Sequence, residues 1–349
     1  MQHETLGACP ICSAKERAVL HAALADDTFA AVPGTWTLWR CAGCACAYLD
    51  PRPDRASIGQ AYQGYYTHAN VPQGQALSWL GRLRQWMEDG YLRRRYGVDG
   101  RPRTMPGGLL GGLLGGLLGG LLYGLVLPYK HLTDVAYRHL PGPGRGRSLL
   151  DVGCGNGGFL VQAQACGWRA EGIDPDPEAA AEGLRRGVRV RAGGLDLYAG
   201  QAQCFDVITL SHVLEHVHDP AAVLADCFRL LKPGGRLWVA TPNLDSYGHA
   251  HFGRHWRGLE APRHLVLFNE PVLRRALKQA GFGSSRRLPS HVREHFVIAR
   301  ASHAIAHGRS PQQASARLPF KLVLAVWIMA GKAWLNPTRR EFLYVAAVR

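Results

Sequence analysis

The stretch that most constrains this chain is SLLDVGCGNGGFL, residues 148–160, in which an apolar run breaks into glycines and then resumes. Gly153, Gly155 and Gly158 keep the spacing G-x-G-x-x-G. This pattern predicts a strand that turns sharply into a helix, with backbone N–H groups left to meet a nucleotide. Strand and helix patterns then alternate. RAEGID, VRVRAG, FDVITLSHV and RLWVATP read as strands, with PEAAAEGLRRG, DPAAVLADCFRLL and NEPVLRRALKQAGF as helices between or after them. KPGG closes the second of these helices, a further strand lies near residues 286–291, and EFLYVAAVR is a strand at the end of the sequence. Such alternation specifies a doubly wound α/β sheet.

The glycine motif alone leaves the nucleotide open, because G-x-G-x-x-G followed by an acid about 20 residues on also describes a dinucleotide site. Asp174 supplies that acid at the end of the second strand, where a carboxylate can accept ribose hydroxyls. Asp151 argues the other way: two residues before the first glycine it would repel a pyrophosphate but suit a cationic amino-acid ligand. Taken together, LLDVGCGNGGFL, GIDPD, FDVI and LKPGGRLWVATPN resemble the class I S-adenosylmethionine-dependent methyltransferases, from Ser148 to about Phe282 plus the final strand. The resemblance implies a Rossmann-like seven-stranded sheet whose last strand is antiparallel and inserted between the fifth and sixth. It implies cofactor contacts by the glycines at 153, 155 and 157 (Gly153, Gly155, Gly157), by Asp151 toward the ammonium through water or backbone, and by Asp174 toward the ribose. Leu195 and Asp196 would flank the adenine, with Ser211 at the end of the fourth strand.

The whole chain resembles a narrower group, bacterial methyltransferases with an N-terminal zinc ribbon from sugar, lipid and natural-product pathways, and HFGRHWRGLEAPRHLVLF belongs to that resemblance. HVLEHV is also similar to the matching segment of ubiquinone-pathway O-methyltransferases, where an acid in place of His212 joins the matches of Glu215 and His216 in binding a divalent metal. Histidine at 212 departs from that pattern. Methyl transfer from a sulfonium is an in-line displacement, so alignment and water exclusion do much of the work, and a hydroxyl acceptor must also lose a proton. His216, His264 and His212, with Glu215 beside them, are the candidate catalytic residues, since a histidine near neutrality suits general-base work.

CPIC at Cys9 and Cys12 and CAGC at Cys41 and Cys44 put four thiols on two tight turns, the arrangement of a structural zinc ribbon. Cys46 is a spare thiol beside them, and Cys154, Cys166, Cys204 and Cys227 read as small buried residues. The expected organisation is a zinc ribbon over 1–60, a helical and apolar connecting region over 61–147 with a Tyr-rich helical stretch and a Gly-Leu repeat, and the methyltransferase domain over 148–349, with an apolar insertion at about 301–340.

The net charge of +15 lies on the flanks: residues 151–245 hold 12 acids and 8 bases, whereas residues 246–349 hold 4 acids and 17 bases. That asymmetry suits either nucleic acid or an anionic membrane surface. Asn-Pro-Pro-Tyr-like signatures of base-methylating enzymes are missing after the fourth strand, which counts against nucleic acid. The Gly-Leu tract at 107–127 is long enough to span a bilayer, but a crossing would part the thiols from the cofactor, so peripheral docking on the inner face is expected instead. The start MQHETLGACPIC has no secretory pattern, which points to the cytoplasm. The expected activity is O-methylation of a small-molecule, sugar or lipid-linked acceptor, with C- or N-methylation as the alternative.

Overall fold

The structure, a computed structural model, describes residues 1–62, 78–98, 120–315 and 317–349. The N-terminal segment contains β1 (His3–Glu4), β2 (Arg17–Leu24), β3 (Trp36–Cys41), β4 (Ala47–Leu49) and β5 (Arg52–Pro53). In β3 Trp36 and Leu38 alternate inward and build one face of a small core, while Cys41 is buried at the end of the strand. Ile58–Tyr62 is a short 3-10 turn, and the rest of the Tyr-rich stretch lies outside the described residues.

Helix α1 (Trp79–Tyr96) starts where the Ser78 hydroxyl accepts the Gly81 N–H and stops at left-handed Gly97, φ 69°, whose N–H bonds the Arg93 carbonyl. Residues 107–119 of the Gly-Leu tract lie outside the described residues; 120–125 are helical, and a Cβ on Gly120 would sit 2.7 Å from the carbonyl carbon of Gly90. After α2 (Leu127–Ala136) comes the run β6 (Ser148–Val152), α3 (Gly158–Ala165), β7 (Arg169–Asp174), α4 (Pro177–Arg185), β8 (Arg189–Ala192), β9 (Phe205–Ser211), α5 (Pro220–Leu230) and β10 (Leu231–Pro242). The chain continues through α6 (Tyr247–Phe252), β11 (Val266–Leu267), α7 (Glu270–Gln279), β12 (Ser284–Arg287), α8 (Arg293–Ala306), α9 (Phe320–Leu335) and β13 (Phe342–Val348).

Among the described residues the main sheet has seven strands in the order β12-β13-β10-β9-β6-β7-β8. β6, β7 and β8 are parallel, and β13 lies antiparallel to β12, between it and β10, as the resemblance implied. Two boundaries differ from the sequence reading. KPGG is not a helix stop but the start of β10, where Lys232 is held by Asp206 at 2.7 Å. The sixth strand is Ser284–Arg287, not 286–291, because Pro289 has no N–H to continue the ladder.

The chain divides into two compact units, Met1–Tyr66 with Leu210–Arg229 and Val239–Arg349, and Thr67–Thr209 with Leu230–Trp238. Within residues 1–60, β1 pairs antiparallel with β5, His3 opposite Pro53. β11 pairs with β4, Val266 opposite Tyr48, giving a second sheet of order β11-β4-β3-β2 within the first unit. Leu38, Leu49, Trp256 and Leu267 share its core. Among the described residues no helix is long and apolar enough to cross a membrane.

Candidate active site

In the second unit, β6 ends in a turn that only glycine makes without strain: Gly153, Gly155 and Gly157 have φ of 68°, 52° and 74°. Gly157 is also pressed against the next layer, since a Cβ there would come 2.7 Å from Cγ2 of Val188. Gly158, the last glycine of the spacing, instead starts α3 and donates its N–H to Oδ1 of Asn156 at 3.0 Å. The Gly155 N–H donates to Oδ2 of Asp174 at 2.8 Å, and the Asp176 N–H to its Oδ1 at 3.0 Å. Asp174 is thereby fixed, half-exposed, at the end of β7. Leu195 is buried and Asp196 exposed on the 3-10 turn that follows β8.

Asp151 is fully buried. Its Oδ1 takes the Thr209 hydroxyl at 2.8 Å and an ion pair from Arg138, while Oδ2 has no hydrogen-bond partner among the described residues. Burial pushes the Asp151 carboxyl up, and the Arg138 charge pulls the other way. Arg138 also lies over the Phe159 ring, 3.9 Å from its centroid, and it and His139 have φ of 46° and 47°. Nothing in AYRHLPG marks Arg138 as a partner of the glycine turn; only the fold brings it there.

In the first unit, the loop after β9 gathers the histidines. Half-buried Ser211 is followed by His212, which adopts φ 55° and donates its N–H to Ala240 O at 2.9 Å. His212 Nδ1 lies 3.1 Å from Oε1 of Glu215, a side chain with no exposure. Burial opposes ionisation of Glu215, but the His212 hydrogen bond and the neighbouring histidines outweigh it and hold the carboxyl at about 2. His216 Nδ1 is 3.1 Å from the Arg263 carbonyl and 2.9 Å from the Tyr62 hydroxyl. A carbonyl can only accept, so Nδ1 carries a proton, and Nε2 is the nitrogen left for a base. His264 is set the same way, Nδ1 to the Gly258 carbonyl at 2.7 Å, and burial pushes it down to about 4, leaving it neutral.

The His216 and His264 ring centroids are 4.7 Å apart, and donor atoms of Glu215, His216 and His264 all lie within 4.8 Å of one another. A carboxylate with two imidazole nitrogens is a donor set that a divalent ion can use. His212 touches this group only through Glu215. Behind it stands Arg263, fully buried, paired with Asp26 and with Glu260 at 3.1 Å, and bonded to Ala61 O at 2.8 Å. Arg263, Glu260 and Asp26 carried no signal in the sequence beyond their charge.

The thiols of Cys9, Cys12, Cys41 and Cys44 converge, with Sγ separations of 3.7 Å for Cys9–Cys44 and 3.5 Å for Cys12–Cys41. Four sulfurs about 2.3 Å from a tetrahedral zinc would stand about 3.8 Å apart, so the cluster fits the metal. Cys46 is closer than a bystander: its Sγ is 3.4 Å from those of Cys9 and Cys44, and its thiol helps hold Cys9 down at about 4, the thiolate form a metal needs. Among the described residues no cysteine is in a disulfide.

A methyltransferase-domain family profile matches residues 130–283. The ubiquinone biosynthesis O-methyltransferase of Xylella fastidiosa (strain 9a5c) is 47% identical over 109 residues, covering 29% of this chain and 44% of that protein. That of Hahella chejuensis is 43% identical over 106 residues, 28% and 44% respectively. The chain thus spans under half the length of these curated relatives. Among solved structures, a SAM-dependent methyltransferase from Archaeoglobus fulgidus aligns with TM-score 0.44 and 19% identity over 65% of this chain and 100% of that one. Residues 130–283, which carry the glycine turn and the pinned Asp174, are a methyltransferase domain of the class I, S-adenosylmethionine-dependent type, related to the ubiquinone-pathway O-methyltransferases, and β13 from beyond them completes its sheet as the inserted antiparallel strand.

Proposed function

We propose that the protein O-methylates a small-molecule or lipid-linked acceptor, with His216 as the general base. The observation that carries this reading is the His216 tautomer, whose Nδ1 is tied to the Arg263 carbonyl so that Nε2 is the basic atom. Bound S-adenosylmethionine would supply an electrophilic methyl on a sulfonium that leaves as a neutral thioether. The pinned carboxylate of Asp174 and the turn at Gly153, Gly155 and Gly157 would hold and orient it, Leu195 and Asp196 would flank the adenine, and Ser211 stands at the end of β9. His216 Nε2 would take the proton of the acceptor hydroxyl.

The trio of Glu215, His216 and His264 supports a second reading, in which a divalent ion at those atoms lowers the acceptor hydroxyl's pKa. The four thiols at 9, 12, 41 and 44 support a closed structural zinc site with no open position for chemistry.

The experiment is transfer of labelled methyl from S-adenosylmethionine to lipid, sugar and nucleic-acid fractions, with product hydrolysis distinguishing O- from N- and C-linked label. Label in a small-molecule or lipid fraction as a methyl ether or ester supports the reading. Label confined to RNA or DNA overturns it, and loss of activity to a chelator that leaves the thiol-bound zinc in place selects the metal-assisted form.

A further inference from the structure

Helix α9 is apolar on both sides, and only one side is packed. Val326, Met329 and Ala333 turn inward with partly buried Phe296 and Leu322. On the other side Phe320, Leu324, Trp327, Ile328, Trp334 and Leu335 are exposed, from 51% for Ile328 to 81% for Phe320. Their spacing of four, three, one, six and one residues keeps them on one helical stripe about four turns long. Val297 of α8, 62% exposed, extends the stripe sideways. A water-facing row of this kind on a folded domain marks an interaction surface.

Charge selects the partner. Arg293, Arg300, Arg309, Arg317, Lys321 and Lys332 are exposed, whereas the one acid among the described residues from 293 to 335, Glu294, is buried and bonded to the Tyr344 hydroxyl at 2.8 Å. A cationic rim around an apolar stripe with Trp327 and Trp334 in it matches the headgroup and acyl boundary of an anionic bilayer. A second copy of this face would bring like charges together, and nucleic acid offers no partner for the exposed Phe320, Leu324 and Ile328.

We propose that α9 lies flat in the surface of an anionic membrane, its Phe320–Leu335 stripe in the acyl boundary and its cationic rim at the headgroups. The proposal does not depend on the methyl-transfer reading, and its test reads binding alone. Full-length protein is sedimented with vesicles of phosphatidylcholine containing about one-third phosphatidylglycerol, and with phosphatidylcholine alone. Binding is expected with the anionic vesicles, several-fold weaker on the neutral ones, and falling with salt. Leu324→Ser with Ile328→Ser should weaken vesicle binding about tenfold or more, and Lys321→Glu with Lys332→Glu should remove much of the salt-sensitive part. These positions are exposed, so unchanged circular dichroism and urea midpoint are expected and confirm that the variants are folded. Equal vesicle binding by folded parent and Leu324→Ser/Ile328→Ser protein would overturn the proposal. So would a dimer in sedimentation velocity that the same pair abolishes while no vesicle binding is seen.

Discussion

Replacing Arg263 by Met removes a fully buried guanidinium and keeps most of its volume. The loss strands Asp26 and Glu260, both buried, and frees the Ala61 carbonyl. Breaking a buried pair costs about 3–5 kcal/mol, because the remaining charge has neither water nor a partner. The cost here falls at the low end. Asp26 still accepts the Phe29 and Ala31 N–H groups at 3.1 and 2.9 Å, and Glu260 keeps Arg257. The expected loss is about 3 kcal/mol in urea unfolding at pH 7. Adding Asp26→Asn should return about 1–2 kcal/mol, since a neutral amide is cheaper to bury than an unpaired carboxylate. Acid gives a second arm. Burial opposes the Glu260 charge, but Arg257, the nearby histidines and Arg263 hold its folded pKa at about 2 against an ordinary 4.5. Its contribution is therefore present above the ordinary carboxylate range and is lost as pH falls from 4.5 toward 2, so the penalty of Arg263→Met should shrink over that window. A loss under about 1 kcal/mol at pH 7, or a penalty that grows in acid, would refute the argument.

Asp174→Ala should weaken S-adenosylmethionine binding by about 2–4 kcal/mol in calorimetry, as two charge-assisted bonds to the ribose are lost; unchanged affinity would move the ribose elsewhere. His216→Asn should cut kcat by about 10²–10⁴ while leaving cofactor affinity intact; an unchanged kcat would remove His216 from the chemistry. Metal analysis should find one zinc per chain that survives Cys46→Ser but not Cys9→Ser; no zinc in chelator-free protein would remove the ribbon site. Burial pushes Glu294 up to about 8, so its neutral form is the stable one and stability falls as pH rises through that value. Glu294→Gln should therefore match the parent near pH 5 and exceed it at pH 9 in thermal melts; a stabilisation confined to acid would have the wrong sign.

Where structure follows from local chemistry, the chain could be read directly. Alternating apolar periods predicted β6 to β10, β13 and the helices α3, α4, α5 and α7, with errors at KPGG and near Pro289, while α6, β11 and α8 went unread. The glycine turn was legible because positive φ at 153, 155 and 157 is a demand on single residues. Two C-x-x-C pairs announce their cluster because each pair is one tight turn. The histidines at 212 and 216 stood out for following a strand, and His264 for its place in a family-like segment, but their tautomers depend on carbonyls of Gly258 and Arg263 that no spacing reveals.

Contacts between distant residues were decided by the fold. Arg263 and Asp26 are 237 positions apart, and each alone reads as an ordinary surface charge. β11 is two residues long, too short for any period, and counts as a strand only because β4 offers it an edge. Arg138 meets Asp151 only once α2 and β6 have packed. Helix α9 shows the limit most plainly. Its sequence is apolar all round, so hydropathy sets the helix but not its orientation, and packing on α6 and α8 chose Val326 and Met329 for the core and left Leu324 and Ile328 in water. Local propensity is a sum over neighbours in the chain, whereas burial and ion pairing are sums over neighbours in space, and only the folded chain defines the second set.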